Sequence, residues 1–408
     1  MALPPVVGAR VLRVVSTSGV ARLRTEPVAI VAAGVVTPFG DVDAFWSGLV
    51  TGTDAISRIE RFPVDDLRVG LGGEIKKLKR ERLGGCRASQ LLFAAADDLL
   101  ARAHLDAAPP RVGVVLGTAL GGVEEGEKAL AGDPSARRTA AALYDGPARA
   151  LARRLGCRGP ALTVSTACAS GATSLGVAAD LLRADAADLI VAGGYDILCR
   201  FVMRGFDALR SLTRDRVRPF DRRRSGLLLG EGAALVLMAR DRDARGRRLG
   251  RLLGHASAGD GTHIAAPDPE GRGLASAIRI ALAEAEVGPA DVDFVSAHGS
   301  ATPLNDRIET AVLKRVLGAR AGLIPMNSIK GALGHTMGAA ATLEAIMCLL
   351  ASREGVVPHT VGLEERDPEC DLDYVTTAPR VARPRVSLST SLGFGGCNAA
   401  LVLEGDAR

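Results

Sequence analysis

Aromatic residues are scarce, with one Trp, three Tyr and nine Phe among 408 residues. Binding of nucleic acid through stacked bases needs aromatic platforms, and a net charge of +5 over this length gives no strong electrostatic footprint. No nucleic-acid partner is expected. Cysteine pairs at metal-binding spacing are also missing. The seven cysteines, Cys86, Cys157, Cys168, Cys199, Cys348, Cys370 and Cys397, are scattered and odd in number, with no CxxC. That argues against a zinc ribbon or a disulfide framework and for a reducing, cytoplasmic compartment. No run of about 20 residues is both apolar and uncharged, so no membrane span is expected. The nearest candidate, Thr336 to Ala351, carries Glu344 in mid-run and reads as a buried helix. No Gly/Ser-rich or Pro-rich linker divides the chain.

What is present is a chain 47% hydrophobic and 24% charged. Disorder is thereby excluded for most of it, and two or three domain-sized units are expected. Residues 1–26 stand apart. Arg10, Arg13, Arg22 and Arg24 occur there with no acid before Glu26, a composition open to two readings, a transit peptide or a loose extension. Its Val content and the Pro4-Pro5 pair favour the extension.

From Pro27 onward, short β-branched runs alternate with Ala/Leu-rich stretches of helical length. Strands are expected at Val28–Val36, Val112–Gly117, Ala161–Ser165, Asp188–Ala192, Ala233–Met238, Val292–Ala297, Leu323–Asn327, Val386–Thr390 and Ala399–Leu403. Helices are expected at Ala88–Ala103, Ala169–Arg183, Gly273–Ala285, Ile308–Leu317 and Ala339–Ala351. Strands this apolar belong to a sheet covered on both faces, an α/β architecture. The chain also echoes itself. Ala161–Ser165 leads into a small-residue helix, as Leu323–Asn327 does, and the runs Ala233–Leu237 and Ala399–Leu403 are nearly identical. Asp188–Gly194 and Asp293–Gly299 match in pattern too. A duplicated α/β unit accounts for this, with Gly121–Pro147 as a cap or insertion.

Four segments carry chemistry. In Val164-Ser165-Thr166-Ala167-Cys168-Ala169-Ser170-Gly171 a strand ends, a small-residue turn follows and a helix begins near the cysteine. A thiol there is either a small buried hydrophobe or a nucleophile whose pKa is lowered by the helix dipole. His298 ends a strand before a turn rich in Gly, Ser and Thr, without metal-ligand spacing around it. Lys330 and His335 follow the strand that matches the Cys168 strand, and Glu344 lies nine residues further on. A buried Glu needs a cation, and Lys330 is the candidate. Gly393-Phe394-Gly395-Gly396 puts one bulky ring among three glycines, either as a tight turn or as a loop whose amides face a ligand oxygen. A fifth segment, Arg218–Gly226 with Pro219-Phe220-Asp221, reads as an Arg–Asp lock. A serine hydrolase is excluded by the absence of a GxSxG elbow. One thiol with two imidazoles suits thioester chemistry in which a carbanion forms.

These motifs, in this order over Pro27 to Gly405, resemble the elongating β-ketoacyl-acyl carrier protein synthases, decarboxylating condensing enzymes of the thiolase superfamily. The resemblance implies a thiolase-like α/β fold of two duplicated halves, 27–245 and 246–408, in a five-layered α-β-α-β-α core. It implies that Cys168 accepts the acyl chain, that His298 and His335 bind the malonyl carbonyl, and that Lys330 and Glu344 order the second histidine. Backbone amides of Cys168 and Phe394 would form the oxyanion hole, Phe394 would gate the site, and Leu120 would limit acyl-pocket depth. No metal or cofactor is implied, since the substrates ride on the phosphopantetheine of an acyl carrier protein. A dimer is implied, either a homodimer or a heterodimer with a chain-length-factor-like subunit. The pathway is that of fatty acids or of polyketides and polyenes. Alternatives are a non-decarboxylating thiolase-like acyltransferase, which the two histidines oppose, and an inactive scaffold subunit, which Cys168 opposes. Ser300, Ser225 and Cys397 depart from the common pattern. Two basic runs, Lys76 to Arg82 and Arg222 to Arg224, are candidates to steer an acidic carrier protein.

Overall fold

The computed structural model describes residues 26–78, 85–103, 111–244 and 248–406. The N-terminal extension, apart from Glu26, and Lys79, Arg80 and Arg82 of the first basic run lie outside the described residues. The first part of the chain forms β1 (Val28–Val36), α1 (Val42–Thr51), the small hairpin β2 (Ser57–Arg58) and β3 (Leu71–Gly72), α2 (Arg87–Ala103) and β4 (Val112–Gly117). Helices α3 (Val123–Leu130), α4 (Ala136–Ala142) and α5 (Gly146–Arg154) make the cap, followed by β5 (Ala161–Val164), α6 (Ser170–Arg183), β6 (Leu189–Asp196), α7 (Arg200–Ala208) and β7 (Gly232–Arg240). The second part forms β8 (Gly250–Gly259), α8 (Arg272–Glu284), β9 (Phe294–Ser296), α9 (Pro303–Leu317), β10 (Met326–Asn327), α10 (Lys330–Leu333) and α11 (Ala340–Glu354). A small two-stranded antiparallel sheet, β11 (Val356–Val357) with β12 (Arg380–Val381), precedes β13 (Val386–Gly393) and β14 (Cys397–Gly405).

Strand order shows the duplication directly. In the first part the order is β5-β4-β6-β7-β1, and in the second it is β10-β9-β13-β14-β8. Counting only the strands of this ten-stranded sheet, both parts read third, second, fourth, fifth, first. The two sets join where β1 pairs antiparallel with β8 over Val28–Ile30 and Gly250–Leu252. One expected echo is corrected by this order. Asp188–Gly194 falls on β6, the fourth strand of its set, but Asp293–Gly299 falls on β9, the second of the other. Their likeness is only that of two apolar strands ending in small residues. The strand expected at Leu323–Asn327 shrinks to Met326–Asn327, because Gly318–Leu323 turns as a 3-10 helix.

Alternation along the strands builds the layers. On β7, Ala234, Val236 and Met238 face one core, while Ala233, Leu235 and Leu237 face another. On β14, Ala399, Leu401 and Leu403 face the first core, while Ala400 and Val402 face a third. The shared central core is filled by α6 and α11, buried between both strand sets. Helix α2 covers the outside of the first set through Leu91, Leu92 and Leu99, and α8 covers the second through Leu274 and Ile278. The result is five layers, α-β-α-β-α. A helix buried on every side must be apolar all round. Accordingly α11 is buried from Ala340 to Ser352, and the one acid in that span, Glu344, needs a partner inside the protein.

Candidate active site

The cysteine turn leaves β5 and enters α6 through strained backbone. Ala167 holds a φ of +50°, a region that residues with a Cβ rarely occupy. Local bonds over-determine it: Thr166 N–H donates to Ser170 Oγ at 2.8 Å, and Ser170 N–H donates to Ala167 O at 3.1 Å. Cys168 is thereby held just before the first turn of α6, 6% exposed. Its own amide and that of Phe394 both face the thiol and favour its ionised form.

The expected lowering of the Cys168 pKa is overturned. Burial pushes the thiol up to about 12, against the pull of Lys330 and of the two amides. Loss of hydration costs the thiolate more than one nearby cation and two N–H dipoles return. At neutral pH the side chain is a thiol.

His298 lies just beyond β9, and His335 follows β10 and the short α10. The rings approach edge to face, 5.2 Å between centroids. Burial holds both well below the ordinary imidazole value, with Lys330 adding to the shift, so both rings are neutral. Their nitrogens differ in environment. His335 Nδ1 accepts Met337 N–H at 3.2 Å, while His335 Nε2 and His298 Nδ1 are buried without a partner among the described residues.

Lys330 reaches Glu344 as expected, Nζ to Oε1 at 2.5 Å. The same Nζ donates to His298 O at 2.5 Å, which ties the buried pair to the first histidine's backbone. Burial raises the Glu344 pKa, and Lys330 opposes that rise. Three acids that sequence reasoning did not single out complete the frame. Glu309 on α9 accepts His298 N–H at 2.8 Å, Gly299 N–H at 2.9 Å and the Thr390 hydroxyl at 2.6 Å. Asp306 accepts the amides of Phe220 and Ala301. Asp196, at the end of β6, accepts four donors. Local signals were thin. Asp306 and Glu309 share one face at helical spacing, but nothing nearby names their partners.

One cleft is lined by Cys168, His298, His335, Phe394, Asn305 and Phe206, among others. Its water-accessible volume is about 50 Å³, room for a few water molecules. The Phe394 ring stacks on Phe206 with centroids 5.4 Å apart and closes the cleft on that side. The glycines behind it, Gly395 and Gly396, adopt φ of +80° and +75°, conformations that suit a residue without Cβ. Leu120 is not brought to this cleft. It is half-buried beside the cap, its amide held by Asp196 at 3.0 Å.

The Arg218–Gly226 segment works as a brace. Asp221 accepts the amides of Arg223, Glu364 and Glu365. Arg224 is buried against Asp367, while Arg222 and Arg223 pair with Glu365 and Glu364 at the exposed surface. In the other run, Lys76 pairs with Glu60.

Two duplicated strand sets over a shared helical layer, with a cysteine at one strand-to-helix turn and two histidines at the matching ends, define a thiolase-like fold with a thioester-handling site. Sequence comparison narrows the class. Residues 25–244 match the β-ketoacyl synthase N-terminal domain and residues 249–364 its C-terminal domain. The chain belongs to the β-ketoacyl synthase family and is an acyltransferase-type condensing enzyme. It is similar to the tetracenomycin polyketide synthase ketoacyl synthase alpha subunit of Streptomyces glaucescens, 36% identical over 411 residues, 92% of this chain and 96% of that one. It is also similar to a 3-oxoacyl-(acyl-carrier-protein) synthase 2 of Synechocystis, 32% identical over 94% of this chain and 99% of that one. Among solved structures, the ishigamide ketosynthase/chain length factor superposes with a TM-score of 0.88 at 32% identity, covering 94% of this chain and all of that one. A type II polyketide acyl-carrier protein in complex with its ketosynthase bound to a hexaketide matches with a TM-score of 0.87 at 27% identity, covering the same shares of the two chains.

Proposed function

We propose that Cys168 carries the growing acyl chain and that His298 and His335 bind the malonyl thioester carbonyl. The observation that carries this reading is the cleft shared by one buried thiol and two neutral imidazoles. In the first half-reaction the Cys168 sulfur attacks the acyl thioester. Its proton passes through a neutral imidazole to the departing phosphopantetheine thiol. The amides of Cys168 and Phe394 hold the oxyanion. In the second, the bond between the malonyl carboxylate and its methylene breaks and carbon dioxide leaves. The electron pair becomes an enolate, held by imidazole N–H groups. Its carbon attacks the Cys168 thioester, the C–S bond breaks, and the released Cys168 thiolate takes a proton from water.

Lys330 and Glu344 act on this site by positioning, Phe394 gates it, and Leu120 limits the depth of the acyl pocket. Residues 27–245 and 246–408 are the two halves, and residues 1–26 are an extension. The substrates arrive on the phosphopantetheine of an acyl carrier protein, and the enzyme itself is assigned no cofactor. A polyketide or polyene pathway fits better than fatty acid synthesis, given the similarity to polyketide ketosynthases and the resemblance to a ketosynthase/chain-length-factor pair. The partner subunit is then a chain-length-factor-like homologue. Seven unpaired cysteines suit the cytoplasm.

Intact-protein mass spectrometry tests the nucleophile. Incubation with acyl carrier proteins of graded chain length should add one acyl mass to the protein, and none to Cys168→Ala. An acylated Cys168→Ala protein, or no acylation with or without a chain-length-factor-like partner, would overturn the reading.

A further inference from the structure

Two histidines share the cleft, but only one has its ring proton assigned by the protein. Because Met337 N–H donates to His335 Nδ1, the ring proton sits on Nε2, and Nε2 is the nitrogen left buried without a partner among the described residues. His298 has no such contact at Nδ1 among the described residues. The Met337 amide points at the ring from an uncommon conformation, with φ +50° for a residue that carries a Cβ. Something must hold that backbone.

The hold is the next peptide. Gly338 N–H donates to Asp196 Oδ2 at 2.7 Å. Asp196 is fully buried, and its other donors are Thr118 Oγ1 at 2.7 Å, Ala119 N–H at 2.8 Å and Leu120 N–H at 3.0 Å. The Thr118 segment is tied in turn to the cysteine turn, since Ser170 shares its hydroxyl proton between Thr118 O and Ala167 O. Packing leaves the Gly338 peptide no slack. A Cβ on Gly338 would meet Asp196 Oδ2 and Thr118 Cα, each at 2.7 Å, and one on Gly194 would meet Gly338 O at 2.0 Å. One carboxylate therefore joins the cysteine-bearing half to the backbone that orients His335.

We propose that Asp196 is a positioning residue that, through Gly338 and Met337, fixes His335 as the Nε2–H tautomer and aims that N–H at the carbonyl of the malonyl thioester. The inference rests on the condensing reading above and adds a residue to it. Burial raises the Asp196 carboxyl to about 6 even with four donors around it, which leaves it a charged acceptor at neutral pH. Asparagine at this position would turn an NH2 group toward one pair of these donors and release part of the clamp.

The test separates the two half-reactions. In Asp196→Asn, decarboxylation of malonyl-carrier protein should fall by about tenfold or more, as when a partner that orients a histidine is lost. Acylation of Cys168, followed by intact mass, should fall far less than decarboxylation or rise, since removing the Asp196 charge also eases ionisation of the thiol. Nitrogen-15 NMR of histidine-labelled protein, assigned with His298→Ala and His335→Ala, should show wild-type His335 as the Nε2–H tautomer and a mixture in Asp196→Asn. Adding Met337→Gly, which takes up a positive φ without strain, should recover part of the decarboxylation. Equal loss in both half-reactions, no loss, or an unchanged tautomer in Asp196→Asn would overturn the proposal. If Asp196→Asn does not fold, the wild-type spectrum decides, and an Nδ1–H His335 refutes the idea. Wild-type protein that releases no carbon dioxide with its partner present would instead refute the condensing reading itself.

Discussion

Lys330→Met should destabilise the protein out of proportion to the single ion pair it removes. Lys330 and Glu344 have side chains only 2% and 1% exposed, on α10 and in the middle of the buried helix α11. Removing the cation leaves a carboxylate whose other oxygen, Oε2, already has no partner among the described residues. Stranding a buried charge in this way costs about 3–5 kcal/mol. With an unfolding entropy of about 2.1 cal/mol/K per residue, the melting temperature should drop by roughly 4–6 °C. The loss has a pH signature. Glu344 has its folded pKa raised by burial, and without Lys330 that rise is larger. A carboxylate with a raised folded pKa destabilises in full above that pKa, and the cost shrinks as pH falls below it and is gone only below the unfolded value. The deficit of Lys330→Met should therefore shrink between pH 8 and pH 5.5. Lys330→Met with Glu344→Leu should regain most of the stability, since an apolar pair costs no ionic desolvation. Urea unfolding at both pH values measures all of this. A Lys330→Met variant as stable as wild type, or a double variant as unstable as the single, would refute the reasoning. The double variant should still be a poor enzyme, because Lys330 also holds the His298 carbonyl.

Two other outcomes follow from the site. Alkylation of Cys168 by iodoacetamide, read by peptide mass, should keep rising with pH beyond 9, because burial puts the thiol at about 12; a plateau near pH 7 would contradict that. Glu309→Gln should weaken malonyl decarboxylation more than Cys168 acylation, since Glu309 holds the amides of His298 and Gly299 together; decarboxylation at the wild-type rate would show that this clamp is dispensable.

Much of the fold is written locally. The alternation on β7 and β14 is visible in the residues themselves, because side chains two apart on a strand share a face. Strand β8 escaped notice because Gly250, Gly254 and His255 break its apolar run; it becomes a strand by pairing with β14 over its length. The short helix α7 buries only Val202 and Met203 and the cap helix α4 buries none, so neither carries a long apolar run to read from sequence.

The active residues divide in the same way. Cys168, His298, His335 and Phe394 announced themselves because each sits in a turn of small residues that must be local to work. By its sequence alone this protein was determined as a duplicated α/β chain with one thiol and two imidazoles at strand ends. Tertiary structure alone decided that the thiol is protonated, because burial is a property of the whole packed core. It alone decided that Leu120 stands apart from the cleft, and that Arg224 is buried against Asp367. It also brought in the anchoring acids. Asp196 meets Gly338 across 142 residues, and Glu309 meets Thr390 across 81. A carboxylate's role depends on which buried N–H groups lack partners around it, and those groups come together only when the chain has folded.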